Sequence, residues 1–145
     1  MDFKKINDDL IEYISKNYEG YLKTFNIDQP FYTTEFLDFD KFKKKFICYI
    51  EFDTTNFPIN NQFNDDCSQV ANLFVNIFLA FREDTPENLN TKMLNATSAF
   101  FQMIKNKRAK NINTAEINRI DFFKYVEGST NIVASKIVLE MNIEI

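Results

Sequence analysis

NIVASKIVLEMNIEI, residues 131–145, alternates along its whole length. Val133, Ser135, Ile137, Leu139, Met141, Ile143 and Ile145 fall on one face, and Ile132, Ala134, Lys136, Val138, Glu140, Asn142 and Glu144 on the other. A two-residue period is that of a half-buried β-strand, whose successive side chains point to opposite faces of a sheet. The pattern reaches Ile145, so the end of this strand is expected to be integrated in a sheet. Residues 70–81 show the same period, with Ala71, Leu73, Val75, Ile77, Leu79 and Phe81 facing one way. Their other face holds Val70, Asn72, Phe74, Asn76, Phe78 and Ala80. That mixture predicts one face covered by the core and a second that meets a loop or another subunit.

Two more extended segments flank these. Residues 39–57 place Phe42, Phe46, Cys48, Ile50 and Phe52 against Lys41, Lys43, Lys45, Ile47, Tyr49, Glu51 and Asp53, which reads as a long strand. Residues 117–126 read as another, joined to the last by a turn at Glu127, Gly128, Ser129 and Thr130, where Gly128 can take a positive φ. Residues 56–68 concentrate turn formers and make a long connection between antiparallel partners.

The remaining periodicity is helical. Phe3, Ile6, Leu10, Ile14, Tyr18, Tyr21 and Phe25 recur every three or four positions, one stripe of an amphipathic helix over residues 2–25. Gly20 is expected to end its regular part, with the stop between 19 and 25. A second helix is expected from Glu87, with Thr85 as its N-cap and Pro86 at its first position, running to about Lys107. Leu89, Met93, Ala96, Phe100, Met103 and Ile104 make its buried stripe. The expected fold is therefore one α+β domain over residues 1–145, ordered helix-strand-strand-helix-strand-strand, with a mostly antiparallel sheet and both helices on one face.

Composition narrows function by exclusion. The 145 residues include no histidine, so neither a Ser-His-Asp nor a Cys-His arrangement can be built within this chain, nor a zinc site using imidazole. Cys48 and Cys67 have no metal or redox spacing. Two glycines give no phosphate-cradling loop. Asp38 with Asp40, Asp65 with Asp66, and Glu83 with Asp84 are the close carboxylate pairs, read here as solvated loops and caps. No catalytic, cofactor or metal residue is assigned, and the chain is not expected to be an enzyme. A net charge of −4 and a pI near 4.9 disfavour a grip on nucleic acid, which needs a basic face. Residues 45–52 share Lys45, Tyr49, Ile50 and Phe52 with the central strand of an RNA recognition motif, but Phe46 and Ile47 break it. The longest apolar stretch, residues 73–81, is too short for a spanning helix, and the absence of a signal-like start at Met1 favours a cytoplasmic setting. Seventeen phenylalanines accompany abundant Ile, Asn and Lys, the set favoured by AT-rich coding, which weakens aromatic content as a functional signal.

An N-terminal amphipathic helix (residues 3–21), strands at 46–52 and 70–81, a helix at 87–107 and a closing hairpin at 117–145 resemble, in order and size, the tail terminator proteins of long-tailed bacteriophages. The resemblance implies a ring, usually hexameric, on the head-proximal end of a tail tube, with tail-tube and head-tail connector proteins as partners. It implies a cytoplasmic site of assembly and a place in the virion afterwards. The inter-subunit or partner contacts assigned on this reading are Phe57, Ile59, Phe63, Asp65 and Asp66 in the long loop, with Asn72, Phe74, Asn76 and Phe78 on the mixed strand face. The competing expectation is a small ligand- or partner-binding α+β domain, with Phe74, Phe78 and Phe100 lining an apolar concave face.

Overall fold

The computed structural model describes residues 2–35, 43–56, 70–83, 87–106, 114–127 and 130–144. Its elements are α1 (Phe3–Lys23), β1 (Phe31–Thr33), β2 (Phe46–Asn56), β3 (Val70–Glu83), α2 (Leu89–Asn106), β4 (Thr114–Glu127) and β5 (Thr130–Glu144). The strands form a mixed sheet in the order β1-β2-β3-β5-β4. Three neighbouring pairs are antiparallel; β1 on β2 is parallel. The α+β class and the largely antiparallel sheet agree with the sequence. The expected element order is corrected by β1, because three residues are too few to show a period.

The alternation read from the sequence matches the register. The odd-numbered residues of β3, from Ala71 to Phe81, join Val133, Ile137, Leu139, Met141 and Ile143 of β5, and Phe46, Cys48 and Ile50 of β2, in one buried cluster. Both helices contribute to that same cluster through Leu10, Ile14, Tyr18 and Leu22 of α1 and Met93, Ala96, Phe100 and Met103 of α2. They therefore cover one face of the sheet. Two tyrosines fasten α1 to α2: the Tyr18 hydroxyl donates to the Ala96 carbonyl at 2.6 Å and the Tyr13 hydroxyl to the Met103 carbonyl at 3.1 Å. Tyr18 also sits edge-on to Phe100, with ring centroids 5.4 Å apart. Thr97 and Ser135, both buried, share a 2.7 Å hydrogen bond that fixes α2 over β5.

The α1 stop at Lys23 falls within the expected 19–25, but the residues that build the helix ends differ from expectation for local reasons. Asp2 caps α1 by accepting from the Lys5 amide at 3.1 Å. Gly20 does not end the helix, which continues to Lys23. The stop is built instead by Asn26 at φ 57°, with its amide donating to the Lys23 carbonyl and the Ile27 amide to Leu22. This is the paired hydrogen-bond pattern of a Schellman ending, with Leu22 in the core cluster and Ile27 packed against that cluster. At α2 the first helical residue is Leu89 rather than Glu87. Thr85 and Pro86 lie outside the described residues, and Asn88, at φ 63°, has the carbonyl that receives the Lys92 amide. Residues 43–45 precede β2 without being part of it, so the strand is shorter than the 39–57 reading.

Candidate functional site

The sheet face away from the helices is graded in composition, as the register shows row by row, and Ile47, Tyr49, Asn76, Ala80 and Ala134 on it are buried. Ile47, Ala80, Ala134 and Phe123 form one row, with Phe31 beside Ile47. Tyr49, Phe78, Lys136 and Asp121 form the next. Glu51, Asn76, Val138 and Arg119 follow, then Thr54, Phe74, Glu140 and Glu116, and finally Asn56, Asn72, Asn142 and Thr114. One end is aromatic and apolar; the other is amide and hydroxyl.

Within the aromatic end, Tyr49 and Phe78 lie 5.7 Å apart between centroids and the Lys136 ammonium sits 5.8 Å above the Phe78 ring. Such a cation over an aromatic face is attracted by the ring quadrupole. At the polar end the Asn142 amide donates to Thr114 at 3.1 Å. Glu116 and Glu140 oppose each other as like charges, and the bulge residue Asn118 meets that by donating to Glu140 at 2.8 Å. Asn76, only 4% exposed, donates from its side-chain amide to Glu51 at 3.4 Å, while its side-chain Oδ1 has no hydrogen-bond partner among the described residues.

Of the contacts assigned from sequence, Asn72, Phe74, Asn76 and Phe78 thus occupy one continuous column down β3 on the helix-free face. Phe57, Ile59, Phe63, Asp65 and Asp66 lie outside the described residues. The aromatic face drawn from Phe74, Phe78 and Phe100 is corrected: Phe100 is 0% exposed, in the core on the opposite side of the sheet. The sequence cannot show this, because a helix's buried stripe does not state which face of a sheet it meets.

A concavity of about 430 Å³ opens where the end of α1, the starts of β1 and β2, the end of β3 and the first turn of α2 converge. Phe31, Phe46 and Phe81 supply its apolar walls, with Lys44, Lys45 and Lys92 as cations and Asp28 and Glu83 as acids. Phe46 stacks on Phe81 at 4.1 Å, Lys44 lies 5.7 Å from the Phe31 ring, and Lys92 pairs with Glu83 at 2.8 Å. Sequence reasoning missed this cleft because β1 and the turn after α1 carry no periodic signal.

Titratable groups follow burial. Cys48 is fully buried, and desolvation pushes its thiol well above the ordinary value, so it is a poor nucleophile. Burial also raises Tyr18 and Tyr32, and lifts Tyr13 to about 12. Glu83 is committed to Lys92, while Asp38, Asp40 and Asp84 lie outside the described residues. Among the described residues no three of His, Cys, Asp or Glu gather as metal ligands, and no helix is long and apolar enough to cross a membrane. Comparison of the chain with protein-family models and with curated proteins gives no match.

Proposed function

We propose that this chain is a structural assembly subunit of a phage or prophage tail, a tail terminator or head-tail joining protein that acts through protein-protein contacts rather than catalysis. The observation that carries this reading is the helix-free sheet face. Its rows run from Phe31, Tyr49, Phe78 and Phe123 to Asn56, Asn72 and Asn142 without the regular polar alternation of a solvated sheet. Aromatic anchors beside amides are the composition of a protein interface. The acidic balance of the whole chain suits a ring around a DNA passage, since like charge repels the phosphates. Head-to-tail contacts between such faces and a neighbouring subunit close into a ring when the rotation allows it.

The test combines solution size with electron microscopy of tail tubes produced by the same phage or prophage. The chain is expected to cap the tubes as a ring, and Phe78→Lys, which puts a second cation beside Lys136, is expected to abolish capping while leaving a cooperative thermal melt. A protein that never associates with tail tubes would sink the proposal. A tail-tube gene immediately downstream and head-completion genes upstream would support it independently.

The small-ligand reading transfers to the cleft beside β1, whose size falls in the range of small-molecule sites. Its phenylalanine walls favour an aromatic compound.

A further inference from the structure

The cleft between the end of α1 and the first turn of α2 is lined by charges of both signs as well as by rings. Lys92 and Glu83 hold each other at 2.8 Å, and the Lys44 ammonium lies over the Phe31 ring, 5.7 Å from its centroid. Asp28 and Lys45 are different. Both are exposed, and among the described residues neither side chain has a hydrogen bond or an ion pair. One carboxylate and one ammonium thus line the same concavity uncompensated.

The backbone fixes both positions. Asp28 follows the turn in which the Ile27 amide donates to the Leu22 carbonyl at 3.2 Å, and the Lys45 carbonyl accepts from the Arg82 amide at 2.9 Å. Phe46 and Phe81, 9% and 4% exposed and stacked on each other, make the buried part of the apolar wall. Phe31, 47% exposed, makes its accessible part.

We propose that the cleft takes a small zwitterionic aromatic compound, the chemistry of an aromatic amino acid, a ligand class that rests on the small-ligand reading of the same cleft. The ring lies on the phenylalanine wall, the carboxylate pairs with Lys45 and the ammonium with Asp28. A purely anionic ligand would bring a like charge to Asp28, and a purely cationic one would bring a like charge to Lys44 and Lys45. A ligand with both charges meets an opposite charge at each, while its ring removes apolar surface from water.

The chain has no tryptophan, so added L-tryptophan is the sole indole in the sample. Its fluorescence anisotropy therefore reads binding directly, beside tryptamine, which lacks the carboxylate, and indolepropionate, which lacks the ammonium. L-tryptophan is expected to bind tightest. Lys45→Gln is expected to weaken L-tryptophan and indolepropionate by about threefold or more without weakening tryptamine. Asp28→Asn is expected to weaken L-tryptophan and tryptamine by a similar factor without weakening indolepropionate. Phe31→Ala is expected to weaken all of them, which locates the ligand in the cleft. Both charge substitutions fall at exposed positions, and a thermal melt matching that of the unaltered chain checks that the fold is kept. Equal binding of the three compounds, or charge variants that do not discriminate among them, would overturn the zwitterionic ligand and leave the aromatic cleft standing. No anisotropy change with any compound at protein concentrations up to about 1 mM would remove the small-ligand reading and this proposal together.

Discussion

Gly20 is the residue whose placement most changes its meaning. It sits inside α1, exposed, and a Cβ added there meets no atom within 4 Å. Glycine in a helix interior gives up about 0.5–1 kcal/mol relative to alanine through backbone entropy. Gly20→Ala is thus expected to stabilise the protein by that amount and to raise the thermal midpoint by about 1–4 °C, measured by circular dichroism. An unchanged or lower midpoint would mean that the helix is not continuous there. Asn26 performs the terminating role that Gly20 seemed to offer, because an asparagine tolerates the left-handed conformation that a Schellman ending requires. The same ambiguity affects Cys48, which the sequence presents only as a thiol and the fold turns into a small core residue.

The elements are held to one another by a few polar contacts set in a largely apolar interface. Tyr13 and Tyr18 tie α1 to carbonyls of α2 only while their phenols are protonated. Both folded-state pKa values lie above the ordinary phenol value of 10.0, with Tyr13 at about 12 and burial as the main cause. Their contribution is complete below about pH 10 and is lost as the pH rises through 10 to 12 and beyond. Denaturant titrations across this range are expected to show stability falling with rising pH. Tyr18→Phe, which keeps the ring and loses the hydrogen bond, is expected to lower stability by about 1 kcal/mol at neutral pH and to make the alkaline fall shallower. An equal fall in both proteins would remove Tyr18 from the explanation. The hairpin joining β4 and β5 was legible because turn formers separate two extended runs in the sequence, and Glu127 does pair with Thr130. The parallel strand β1 was not, since a three-residue strand is recognisable only from the partner it finds.

For the molecule as a whole, β5 is the central support: it pairs with β3 along one side and β4 along the other. Met141 and Ile143 are buried to within 1% and oppose Leu73 and Ala71. Loss of each such side chain costs about 2–5 kcal/mol, against a total stability of about 5–15 kcal/mol for a typical domain. Deleting residues 141–145 is expected to abolish the cooperative thermal transition, and a truncated chain that melts as the full one does would refute the role given to this strand. The sequence alone determined the α+β class, the buried faces of β2, β3 and β5 and the apolar stripes of both helices. Each of these follows from the geometric period of a local element, 2 for a strand and 3.6 for a helix. Only the tertiary structure decided that Phe100 and Phe78 lie on opposite sides of the sheet, that β1 completes one edge and that β4 is left at the other. Those outcomes depend on which surfaces meet, and a local period records that a face is buried without recording what buries it.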